Sequence, residues 1–167
     1  MQGYVDYART SDRVRTRRRP RDERTRQQPR HLAALLEARA FVIHDCPVGS
    51  GLPSVDHVAV GSSGVWVIVS RRVSISRVQL RRSLVGPTKL LVGSTDRSEL
   101  LALADRQRKA VCETLADQPD VPVHTAITFA GGQYPLFGTL STAGHRILPP
   151  TALADEVSAS GPLSRAE

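Results

Sequence analysis

The chain is poor in aromatics and thiols: its 167 residues include one Trp, three Tyr, three Phe and two Cys. So few rings leave little for stacking bases, and Trp66 lies inside an apolar stretch, so a single-strand-binding platform is not expected. Cys46 and Cys112 are far apart in segments of different kind, and both are expected as free thiols with no metal knuckle. The longest apolar run, Val65–Val69, is strand-sized and far short of the roughly 18 residues of a membrane-spanning helix. No apolar stretch follows Asp6, Asp12 and the arginines of the N-terminus, so no secretory signal is expected and the cytoplasm is the expected address. A Gly-rich phosphate loop with its Lys, a nucleophile elbow and a Cys–His pair at usable spacing are all missing. That sets aside the usual nucleotide-binding and covalent hydrolase chemistries.

What is present is a chain of ordinary globular composition, 40% hydrophobic and 23% charged, with one domain's length. Its net charge of +7 is unevenly spread. Residues 1–30 hold ten Arg against Asp6, Asp12, Asp22 and Glu23, whereas the remaining 137 residues are nearly neutral. Residues 1–29, with Arg17-Arg18-Arg19-Pro20-Arg21 and few large apolar side chains, are expected to form a disordered arm. Burial there is too small to offset the entropy of ordering. Such an arm suits phosphates or an anionic surface, or is simply a solvated tail. Residues 30–158 are expected to form the folded domain and 159–167 a flexible tail.

Leu32, Leu35 and Leu36 predict a short helix over 31–39, followed by a strand at 41–45 and a loop marked by Pro47, Gly49, Gly51 and Pro53. The apolar runs 55–60 and 65–70 flank Gly61-Ser62-Ser63-Gly64 and predict a β-hairpin, covered on both faces, at the centre of the sheet. Short strands are expected between Arg71 and Val92. Ser94 or Thr95 is expected to cap a long helix with Asp96 and Glu99 in its first turn and an apolar stripe through Leu100, Leu103, Ala104, Val111 and Leu115. A strand at 121–129, a Gly131-Gly132 turn, a short strand at 146–148 and a helix from Thr151 to about Ser158 complete the pattern. This order predicts an α/β fold with a mixed central sheet flanked by helices.

With Ser62 and Ser63 as the hairpin turn, Asp56 falls opposite Val69, and Arg71 lies on the same face two residues on. The residues Leu32–Leu36, Phe41–Asp45, Val55–Gly61 and Gly64–Ile68, with Val121–His124, Tyr134–Gly138 and Ile147–Pro149, resemble the nuclease-related domain (NERD) family. The resemblance spans about residues 22–158 and rests on order and spacing rather than on one motif. It implies a restriction-endonuclease-like fold and a metal-dependent catalytic strand pair: an Asp, then on the next strand an acid, a spacer and a Lys. Asp56 matches the Asp, but Val69 stands for the acid, Ser70 for the spacer and Arg71 for the Lys. A family glutamate early in the first helix would fall near Arg24–Arg26, where Glu23 is out of step. Gln107 matches a glutamine often seen on the family's long helix.

Val69 offers no lone pair to magnesium, and a guanidinium cannot take over from a lysine that activates water. Metal-dependent cleavage is therefore expected to be lost, with no metal and no cofactor. Asp56 and Arg71 are read most simply as an ion pair, and a weakened metal site completed by another acid is the alternative. By strand alternation His57 points away from Asp56, as a core or helix-contacting residue. His44 and Asp45 read as loop anchors, and His31, His124 and His145 as unrelated. Arg106, Arg108 and Lys109 read as a solvated helix face, whereas Gln107 faces either the sheet or the former site. The expected role is a catalytically degenerate NERD-like protein that binds DNA, RNA or a protein partner, with Arg17, Arg18, Arg19, Arg21 and Arg71 touching phosphate. The alternatives are an active Mg- or Mn-dependent nuclease with an unorthodox site, and an interaction module with no nucleic-acid partner.

Overall fold

The run Val65–Val69 is the spine of the molecule: its five side chains are at most 6% exposed. It belongs to β3 (Gly64–Arg81), which is antiparallel to β2 (Val55–Gly61) on one side and parallel to β6 (Val123–Gln133) on the other. A computed structural model describes residues 30–48, 51, 53–82 and 85–164. The remaining elements are α1 (Arg30–Glu37), β1 (Phe41–Cys46), β4 (Lys89–Val92), β5 (Thr95–Asp96), α2 (Glu99–Thr114), β7 (Leu140–Thr142), β8 (His145–Ile147) and α3 (Pro150–Ser158). The sheet order is β1-β2-β3-β6-β8-β7, with β4 on the far half of β3 and β5 on β4. Among the described residues the fold is α/β, with a mixed sheet and three flanking helices, as the element order predicts.

Strand alternation divides the core. Trp66 and Ile68 pack with Leu32 and Leu36 of α1 and Leu153, Ala154 and Val157 of α3. On the opposite face Val65 and Val67 meet Val111 of α2, while Val69 meets Leu100 and Ala104 of the same helix. Apolar area is thus removed from water on both sides, which is why this strand lacks a polar face. Among the described residues no helix is long and apolar enough to cross a membrane.

The hairpin turn is anchored from outside. Ser63 Oγ donates to the Val157 carbonyl at 2.9 Å and accepts from Trp66 Nε1 at 2.8 Å. A Cβ at Gly61 would lie 2.1 Å from that same carbonyl oxygen. Gly61→Ala should therefore force α3 off the sheet and lower stability by about 1–3 kcal/mol, read as a fall in the urea unfolding midpoint. An unchanged midpoint would mean that α3 is not held there.

Four expectations are corrected. Of the short strands expected between Arg71 and Val92, β4 is present, but the stretch up to Arg81 is the continuation of β3, which spans 18 residues. Its pairing to β6 slips between Arg72 and Ser76, so Val73 within the slip and Val78 after it serve the same core. This change of parity is what makes the pattern look broken. Gly131 and Gly132 are not a turn; they lie within β6, where a Cβ on Gly131 would sit 2.4 Å from the Val73 carbonyl oxygen of the bulge. Thr95 and Asp96 form β5 instead of starting the long helix, whose N-cap is Ser98. Asp96 accepts from the Ser98 amide at 3.0 Å and hydroxyl at 2.6 Å, so its cap-like chemistry is spent one step before the helix. The last helix begins at Pro150 with Pro149 as its N-cap, displacing Thr151 from that role.

Candidate functional site

The β2–β3 register runs Gly61↔Gly64 through His57↔Ile68, which sets Asp56 facing Val69. Asp56 Oδ2 accepts the Ser70 amide at 2.7 Å and Arg71 Nη1 at 2.6 Å, and Nη1 also donates to the Ser70 carbonyl at 2.6 Å. The side chains are 13% exposed for Asp56 and 34% for Arg71, so the carboxylate is the more enclosed partner. Burial pushes the Asp56 carboxyl above its ordinary range, outweighing the Arg71 charge and the Ser70 amide. The pair thus neutralises a charge that the fold finds costly to bury.

The β1–β2 pairs His44↔His57 and Cys46↔Val55 bracket Asp45 at the position facing Asp56. Asp45 has φ +49°, and its charge is the weakest influence on Asp56. Val69 is 1% exposed and spends its side chain on the core. A magnesium ion needs several oxygen donors. Asp56, whose Oδ2 already holds a guanidinium and an amide and which faces a hydrocarbon on β3, does not by itself meet that requirement. Among the described residues no three His, Cys, Asp or Glu side chains are grouped to hold a metal ion.

Gln107 faces the segment that leads into β2. It is buried on α2, and its Nε2 donates to the carbonyls of Pro53 and Ser54 at 3.2 Å each, while Oε1 has no hydrogen-bond partner. It therefore tethers the entrance to β2, close upstream of Asp56. Arg106, Arg108 and Lys109 are exposed. Arg17, Arg18, Arg19 and Arg21 lie outside the described residues.

Behind the ion pair, on the other face of the sheet, four side chains form a chain. Glu37 Oε1 lies 2.7 Å from His44 Nε2, His44 Nδ1 lies 2.7 Å from His57 Nδ1, and His57 Nε2 lies 3.4 Å from Ser70 Oγ. A carboxylate only accepts, so His44 Nε2 carries a proton. With both rings neutral, His57 Nδ1–H then donates to His44 Nδ1, and His57 Nε2 accepts from Ser70. Burial, assisted by the His44 charge, lowers the His57 pKa from 6.5 to about 4. His57 is 1% exposed, as its core assignment predicts, whereas the partnership with His44 and Glu37 escapes sequence reading. The signal existed only in the β1–β2 register, which the loop between those strands conceals.

His145 is likewise no isolated residue. It is 1% exposed, with Nδ1 at 2.7 Å from Thr125 Oγ1 and Nε2 at 3.1 Å from Asp105 Oδ1 of α2. That contact joins α2 to β6 and β8. No family model, curated protein or solved structure matches the chain.

Proposed function

We propose that the chain is a catalytically degenerate NERD-family protein with a restriction-endonuclease-like fold, and that it binds nucleic acid in the cytoplasm. The observation that carries this reading is the Arg71 guanidinium seated on Asp56, opposite Val69. In the resemblance, that carboxylate belongs to a metal-dependent strand pair. Here a protein cation satisfies it, and its register neighbour donates nothing. With cutting chemistry gone, affinity for phosphate is what remains. Its main source is the arginine arm, whose Arg17, Arg18, Arg19 and Arg21 offer fork-shaped donors to phosphate oxygens. Arg71 contributes less than the sequence suggests, because its charge is already matched by Asp56.

Mobility shifts with DNA and RNA over rising salt test the reading. The full chain should bind with a steep salt dependence, and deletion of residues 1–29 should weaken binding at low salt on the order of a hundredfold. A chain that shifts no nucleic acid at low salt would overturn it. Cleavage of plasmid DNA with magnesium or manganese, abolished by Asp56→Ala, would establish an active nuclease instead.

A further inference from the structure

The nearly neutral body is strongly polarised. Residues 57–95 contain six basic side chains and no acidic one. Four of the six, Arg72, Arg77, Arg81 and Arg82, are exposed on or just beyond the far half of β3. Among the described residues none of the four has a carboxylate within ion-pair distance. The nearest acids along the chain are already engaged, Asp56 by Arg71 at 2.6 Å and Asp96 by Lys89 at 3.1 Å.

Pairing places two of these arginines, Arg77 and Arg81, on one surface. Val78, Leu80, Leu90 and Val92 of the β3–β4 ribbon turn into the core. Alternation therefore sends Arg77, Gln79 and Arg81 outward, with Lys89 directly across from Arg81. Arg77 and Arg81 are thus about 13 Å apart along the same outward face. Arg77 pairs with Gln133 of β6 and borders a cavity lined with Gln133, Tyr134, Pro135, Leu136 and Phe137. Phe137 is 91% exposed, an open ring beside a guanidinium and a side-chain amide. Tyr134, whose hydroxyl accepts the Phe129 amide at 2.7 Å, anchors the start of that loop.

We propose that this ribbon face is a binding track for single-stranded nucleic acid, with Arg77 and Arg81 on two separate phosphates along the strand's path and Phe137 stacking on an unpaired base. The inference rests on the nucleic-acid reading above and assigns it a surface and a substrate form. A small number of aromatics argues against a stacking platform only while their positions are unknown. One ring in open solvent beside unpaired guanidinium groups supplies the two elements such a track needs: a π-face that accepts any base, and cations that follow the backbone. A duplex has its bases stacked and offers Phe137 nothing, so the surface should prefer single strands.

Fluorescence anisotropy on the full chain tests this, with labelled oligo-dT and oligo-U of about 20 nucleotides, a duplex of equal length, and phosphatidylserine vesicles as competitor. Arg77→Ala with Arg81→Ala should weaken single-strand binding about tenfold and lower the salt slope by about 1.4, because each phosphate contact contributes about 0.7 on single strands. Phe137→Ala should weaken single-strand binding about tenfold, leaving the salt slope and duplex affinity unchanged. All three positions are exposed, so unfolding midpoints should not move. Wild-type binding that none of these variants alters would overturn the track while leaving the arm and the general reading in place. Absence of any binding by the wild type would overturn both. Displacement by vesicles that is lost in Phe137→Ala would overturn the proposal by assigning the face to an anionic membrane surface.

Discussion

Arg71→Ala is expected to destabilise the protein at pH 7 by about 3 kcal/mol, the largest effect of any single polar substitution on this face. The substitution strands the Asp56 carboxylate, which is 13% exposed and keeps only the Ser70 amide. Breaking a fully buried pair costs about 3–5 kcal/mol. Arg71 is about a third exposed, so water replaces part of its contribution and the low end applies. Asp56→Asn should cost less, about 1 kcal/mol, because the amide oxygen still accepts from Ser70 and the freed guanidinium turns to solvent. The pH dependence carries the diagnosis. The Asp56 pKa is already raised, and removing Arg71 raises it further, so in the variant the carboxyl takes up a proton on mild acidification and the penalty shrinks. Urea unfolding of wild type and variant at pH 7 and pH 4.5 reads this directly. A penalty that is equal at both pH values, or larger for Asp56→Asn than for Arg71→Ala, would show that the pair does not act as described.

The second expected result is a loss of stability on acidification, set by His57. Its pKa is about 4 in the folded protein against 6.5 ordinarily, so the unfolded chain binds the proton first as pH falls. Stability from this group is complete above pH 6.5 and declines toward pH 4, by about 3 kcal/mol in all. The groups that face it are His44 and Asp45 of β1, Glu37 at the end of α1 and the neutral Ser70 hydroxyl of β3. The carboxylates favour the charged ring, but burial and the His44 charge prevail. Asp56 works in the opposite sense, since a raised carboxyl pKa favours the native state as acid is added. The His57 effect is therefore best isolated between pH 6.5 and 5. His57→Leu should flatten that limb at some cost in stability at pH 7, and NMR titration should show one histidine ring that stays neutral through this window. A His57 signal titrating near 6.5 would sink the prediction.

The two effects come from opposite faces of the same strands, and they differ in how far the amino-acid order foretells them. Asp56 against Val69 beside Arg71 follows from local chemistry. A two-residue turn closed by Gly61 and Gly64 fixes the register, and alternation does the rest. The same is true of the Leu32 and Leu36 stripe on α1 and of the doubly covered run Val65–Val69. These are short-range facts, set by turn geometry and by the periods of helix and strand.

What only the tertiary structure decided involves partners distant in sequence. The bulge in β3 exists because β6 pairs with it across the α2 crossover, and Gly131 yields space to the Val73 carbonyl. Gln107 acts as a tether because α2 lies over the entrance to β2. His44 meets His57 through a register set by packing, since a loop with several Pro and Gly leaves the pairing open. Arg77 and Arg81 look scattered along the chain until β4 buries the alternate positions and turns these two to one side. Residue order thus determined the periodic faces and the hairpin that sets a lone aspartate before a valine. Long-range burial, which no local period encodes, chose which polar groups meet behind it.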